Sequence, residues 1–139
     1  MKLLEKFSDC QEALDVPHWQ GLTVFKKSRK AKPKADTNAA SQVVAFKRFL
    51  FPGDSPIKAE SLWQGLPWVT NARVLVLGHH GSRTSTSEEL LDHLPVLKMA
   101  IASARWERYK HPHAEVIYRL KKRQIPLLKT EDWGNIWFE

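Results

Sequence analysis

Val74-Leu75-Val76-Leu77-Gly78-His79-His80-Gly81-Ser82 is the stretch on which the fold of this chain turns. Four consecutive Val and Leu residues spell a short strand buried on both faces. That strand runs straight into two histidines framed by glycines. Two imidazoles at a strand end, beside backbone that a ligand can approach closely, are suited to a metal or phosphate site. The plainer reading is a loop with two solvated histidines. It weakens because Asp54 and the triplet His111-Pro112-His113 stand in comparable places.

Working outward, the pattern is one of strands followed by alternating strands and helices. Leu22–Phe25, Gln42–Phe46 and Arg48–Phe51 read as strands, with Lys47 in a tight connection between the last two. Pro52-Gly53 stops the third strand and delivers Asp54 at its mouth. Residues 57–66 have apolar positions compatible with a short helix, and Trp68 to Arg73 lead into the strand at 74–77. Ser85 with Glu88, or Thr86 with Glu89, has capping-box spacing before a helix over 87–94. Met99–Ser103 is the next strand. Residues 113–123 form the clearest amphipathic helix, with Val116, Ile117 and Leu120 inward and Arg119, Lys121, Lys122 and Arg123 outward. Ile125–Thr130 reads as a strand, Asp132-Trp133-Gly134 as a hairpin turn, and Asn135–Phe138 as a closing strand. A helix end near Glu12–Leu14, stopped before Pro17, completes the pass. This order predicts an α/β fold, a mixed sheet with packed helices.

A chain of 139 residues allows one domain. Its net charge of +7 favours a polyanionic partner without naming one. Much of the excess sits in the lysine-rich run from Lys26 to Lys34, and residues 26–37 are expected to form a basic mobile loop. A basic arm for nucleic acid is the functional alternative there. Cys10 is the only cysteine, so no internal disulfide can form. No apolar stretch reaches the roughly 18 residues of a membrane span, and a soluble chain is expected. Most of the six tryptophans are expected to pack in the core or at its edge.

Asp54, the pair His79-His80, and the group from Ser103 to His113 each follow a strand. In an α/β sheet, loops at the same ends of neighbouring strands converge on one crevice. Carboxylate and imidazole together suit zinc, manganese or iron, and such a metal could activate water against a phosphodiester. His111 and His113 precede a helix whose first amides favour an anion. Ser82, Thr84 and Ser85 read as turn and cap residues first and phosphate contacts second. His18 and His93 read as ordinary loop and helix-face residues. A catalytic metal site normally has three protein ligands. The only histidine before Asp54 is His18, so the chain reads as half of a site.

Phe51-Pro52-Gly53-Asp54, Leu77-Gly78-His79-His80-Gly81-Ser82-Arg83-Thr84-Ser85, Tyr109-Lys110-His111-Pro112-His113 and Thr130-Glu131-Asp132-Trp133-Gly134, in this order, resemble the C-terminal metallo-β-lactamase-like domain of the ComEC/Rec2 competence proteins. The resemblance extends upstream through Trp19, Gly21–Phe25 and Asn38–Ser41, and covers residues 10–139. It implies a four-layer αββα sandwich, of which residues 1–139 would form a single partial domain, the C-terminal half. It implies Asp54 as a metal-bridging aspartate and His79-His80 as the last histidine motif, with His80 favoured as ligand to zinc or manganese. It implies phosphate contacts at His111 and His113, with Ser82 beside them. The implied activity is metal-dependent phosphodiester hydrolysis during natural transformation, on single- or double-stranded DNA, at the inner membrane. The implied partners are the remaining half of the domain or the membrane channel part of a competence protein. The family's His-x-His-x-Asp-His motif and membrane spans are missing from this sequence, so weak metal binding and poor hydrolysis are expected of the chain alone. The alternative is a non-catalytic DNA-binding or partner-binding module.

Overall fold

The computed structural model describes residues 22–25 and 37–138. The expected helix end at 12–14, Cys10, His18 and the lysine run over 26–36 lie outside the described residues.

Six strands form one sheet in chain order: β1 (Leu22–Phe25), β2 (Val43–Phe46), β3 (Phe49–Phe51), β4 (Val74–Val76), β5 (Met99–Ala102) and β6 (Leu127–Lys129). β1, β2 and β3 pair antiparallel, and the two-residue connection Lys47-Arg48 joins β2 to β3 with Lys47 at φ 53°. From β3 to β6 every pairing is parallel, as crossovers through helices require. The mixed α/β sheet expected from the sequence is therefore present, and the strands are trimmed by a residue or two at their ends.

The two faces of this sheet are used differently. Phe25, Val43, Ala45, Leu50, Leu75, Ala100 and Ala102 join the helical and loop residues Trp63, Leu66, Val69, Leu90, Leu91, Leu94, Val116 and Leu120 in one buried cluster. The register puts another apolar set on the opposite face: Val24 beside Val44, Phe46 beside Phe49, Phe49 beside Val74, Val76 beside Ile101, and Ile101 beside Leu128. None of these belongs to the helix-covered cluster. Phe51 on this second face is 38% exposed, and Phe138 of the tail packs edge-on to Phe49 at 4.9 Å.

The helices are short, and several depart from the sequence reading. The helix expected over 57–66 stops after one turn, α1 (Ile57–Glu60), and a second turn, α2 (Pro67–Thr70), begins at Pro67, a residue suited to a first helical position. α3 (Glu88–Asp92) is capped by Ser87, whose hydroxyl accepts from the Leu90 amide. Neither predicted capping box forms. The buried Glu60 carboxylate, distant in sequence, takes the amides of Thr86 and Ser87 instead. Burial pushes the Glu60 carboxyl above its ordinary range, against the pull of its Ser87 and Thr86 donors.

α5 (Ala114–Lys122) buries Val116 and Leu120 as expected. Arg119 does not face out: its guanidinium donates to the carbonyls of Ser85 and Thr86. Arg123 likewise reaches the carboxylates of Glu88 and Asp92 on α3. The closing hairpin is absent. Thr130–Trp133 form a helical turn, α6, braced by a Lys129–Asp132 ion pair of 3.1 Å and ended by Gly134 at φ 65°. Asn135–Phe138 follow without strand pairing. Trp133 and Trp137 are exposed rather than packed, at 67% and 86%. Among the described residues no helix is long and apolar enough to cross a membrane.

Candidate functional site

Because β3 to β6 run parallel, the segments that follow them leave the sheet from one edge. The segment after β4 is a tight turn over Gly78–Gly81 in which His79 (φ 46°, ψ 45°) and His80 (φ 57°, ψ 20°) are both left-handed. Each costs about 1 kcal/mol or more, and such backbone persists only where its surroundings over-determine it. Here they do. The His79 amide donates to Gly53 O at 2.9 Å, the Ser82 amide to His79 O at 2.9 Å, and the His113 amide to Gly81 O at 2.8 Å. The fully buried Ser85 hydroxyl donates to Gly78 O at 2.6 Å. Gly81, at φ 85°, also lies against Pro112: a Cβ there would stand 2.6 Å from Pro112 Cβ.

This frame fixes the imidazoles. His80 Nδ1 lies 2.7 Å from Ser103 O. A carbonyl only accepts, so Nδ1 carries the proton, and in the neutral ring Nε2 is left with a free lone pair. A backbone carbonyl orienting the far nitrogen is the arrangement in which histidines commonly bind metals. The rings of His79 and His80 are 6.5 Å apart and those of His79 and His111 are 6.2 Å apart. Partial burial, reinforced by the charges of His79, His80 and His113, holds the His111 pKa below the ordinary histidine value.

These three histidines line an open cleft of about 1090 Å³, together with Ser103, Arg105, Arg108, Tyr109, Thr130 and Glu131. The cleft draws on the segments after β4, β5 and β6, as the convergence argument requires. Asp54, Ser82 and His113 are not among its lining residues. Asp54 is tied to the histidine turn through the neighbouring Gly53 carbonyl. Ser82 is buried, with its hydroxyl 3.0 Å from that of Thr84. His113 caps α5, its Nδ1 accepting from the Glu115 amide at 3.3 Å, so the helix start is met by the protein itself. His93 is bonded to Glu89 O, in keeping with an ordinary role.

The residues do not make a complete metal site. Among the described residues no three His, Cys, Asp or Glu side chains are grouped so that they could hold an ion. Glu107 and Arg108 were not singled out in the sequence, and Thr130-Glu131 entered only as part of the Thr130–Gly134 resemblance motif, without a site role. The signal for Thr130-Glu131 was their position directly after a strand parallel to β5, obscured by the expectation of a hairpin.

Comparison with known proteins gives three informative similarities. The chain is 31% identical over 123 residues to "Recombination protein 2" of Haemophilus influenzae, covering 86% of this chain and 15% of that protein. It is 39% identical over 67 residues, 48% of its length, to "ComE operon protein 3" of Bacillus subtilis and to "Competence protein ComA" of Neisseria gonorrhoeae. The chain thus spans 9 to 15% of the length of these relatives. No family model and no solved structure matches it.

Proposed function

We propose that this chain is a component of the ComEC/Rec2 type of DNA-uptake protein, acting in natural transformation as the C-terminal half of a metallo-β-lactamase-like, metal-dependent phosphodiester hydrolase. The observation that carries the reading is the strained, over-determined Gly78–Gly81 turn, which presents His79 and His80 beside His111 at the carboxyl edge of the sheet. The names of the similar proteins supply the biological setting.

In this reading Asp54 and His80 are contributed to a zinc or manganese site whose other ligands come from another segment. When bound, the metal supplies Lewis acidity toward a phosphodiester. The residues of this chain orient and receive. Ser103 O holds the His80 ring through Nδ1 and leaves Nε2 available, and His111 with the Arg105 and Arg108 side chains accommodates a phosphate in the cleft. The missing segment has a place to sit: the second, apolar face of the sheet is suited to a second sheet, giving the αββα sandwich. The similar proteins are several times longer and have chain to provide it. Their length also makes association with an inner-membrane channel part a natural setting.

The test measures manganese- and zinc-dependent cleavage of labelled single- and double-stranded DNA. It compares this chain alone with this chain joined to the segment preceding the matched region of the Haemophilus relative. The joined protein should cleave and lose about 100-fold or more in Asp54→Ala or His80→Ala. The chain alone should be nearly inactive. No cleavage by the joined protein, or cleavage indifferent to both substitutions, would refute the hydrolase. A second reading, a non-catalytic DNA- or partner-binding module, is favoured by the incomplete ligand set among the described residues.

A further inference from the structure

The segment from Arg105 to Lys110, of which Arg105, Glu107, Arg108 and Tyr109 line the cleft and Trp106 and Lys110 lie outside it, is not accounted for by the histidines. The single-turn helix α4 (Trp106–Tyr109) is held between the ends of β5 and β6 by the Trp106 amide, which donates to Glu131 Oε2 at 2.7 Å. Its two large rings are left in solvent, Trp106 at 44% and Tyr109 at 53%. Residues three apart on a helical turn are surface neighbours. Each ring has a cation over it: Lys110 Nζ lies 6.0 Å from the Trp106 ring centre, and Arg108 Cζ lies 5.1 Å from that of Tyr109. Tyr109, Arg105 and Arg108 line the same cleft as His79, His80 and His111. Glu107 and Glu131 also line it and match Arg105 and Arg108 in number, but Glu131 is turned to the Trp106 amide, and Lys110 adds a third cation beside the cleft at the Trp106 ring.

Flat exposed rings with cations beside them match the two recurring parts of a nucleic-acid strand, an unstacked base and its phosphate. A duplex keeps its base faces stacked on one another and offers nothing to these rings. We propose that Arg105–Lys110 is a stacking platform for single-stranded DNA. Trp106 and Tyr109 each take a base, Arg105, Arg108 and Lys110 take phosphates, and the strand is led toward the histidine cleft. This rests on the reading of the chain as a DNA-uptake component.

The test uses the 139-residue chain and fluorescence anisotropy with a labelled oligothymidylate and a labelled duplex. Trp106→Ala and Tyr109→Ala should each weaken oligothymidylate binding about tenfold, while Trp106→Phe and Tyr109→Phe retain most of it and duplex affinity moves by less than about twofold. Arg108→Gln should lower the slope of log affinity against log salt by about one. Unchanged oligothymidylate affinity in the double alanine variant, or equal losses on duplex, would overturn the platform and leave the DNA reading standing. Binding of neither DNA form by the unaltered chain would overturn both.

Discussion

The two faces of the sheet are both apolar, yet only one is covered by the helices of the described structure. On the first, Leu50, Leu75 and Ala100 are fully buried under residues such as Trp63, Leu90 and Leu120. On the second, Val74 and Ile101 are buried, Phe49, Val76 and Met99 are half-buried, and Phe51 is 38% exposed. The difference teaches that the strands carry more apolar surface than one helical layer covers: a sheet with one wet face alternates apolar and polar residues, whereas these strands do not. At the histidine edge the turn is held by hydrogen bonds from neighbouring segments, and among the described residues no three His, Cys, Asp or Glu side chains are grouped to hold an ion.

The sharpest way to break the comparison is a pair of truncations. Leu75→Ala on the covered face should cost about 2–5 kcal/mol in denaturant unfolding, whereas Met99→Ala on the other face should cost less than about 1.5 kcal/mol. Equal losses would mean that the second face is packed after all. Next in size is Glu60→Ala, which strands the amides of Thr86 and Ser87 in the core. About 2–3 kcal/mol should be lost, with faster hydrogen exchange at those two amides. Phe51→Lys should leave unfolding free energy within about 0.5 kcal/mol and reduce self-association in light scattering. Association unchanged by the added charge would argue against a sticky second face.

The smallest effect is one of pH and belongs to the histidine edge. The His111 pKa is depressed in the folded protein, so between its folded value and 6.5 the unfolded chain binds more protons. Its contribution to stability is present above pH 6.5 and is lost as pH falls through the folded value. Thermal unfolding of His111→Gln should be less sensitive to acidification across that window. An identical pH dependence in the variant would remove His111 from the account.

The strands and the histidine turn were legible because they are local: a Val-Leu run, a Pro-Gly stop and a glycine-framed pair report on their own backbone. The α/β order followed from the same signals. What escaped was long-range. Nothing near Ser87 announces that Glu60 will take its amide, and nothing near Arg119 announces the Ser85 and Thr86 carbonyls it reaches. Asn135–Phe138 has strand-like residues but forms no ladder, and its Phe138 packs on Phe49 instead. At the site, His79, His80 and His111 were legible as strand-end histidines. The turn reading of Ser82 was legible too, whereas the capping role of His113 emerged only once the Glu115 amide was in place beside it.

The proposal that this chain is one half of a two-sheet domain is tested most directly by mixing. Purified chain is combined with the segment preceding the matched region of the Haemophilus relative, and mass by light scattering is read alongside thermal unfolding. The account predicts a one-to-one complex with a raised unfolding temperature, lost in Phe51→Lys. A chain that stays monodisperse, ignores the added segment and unfolds at the same temperature with and without it would contradict the claim.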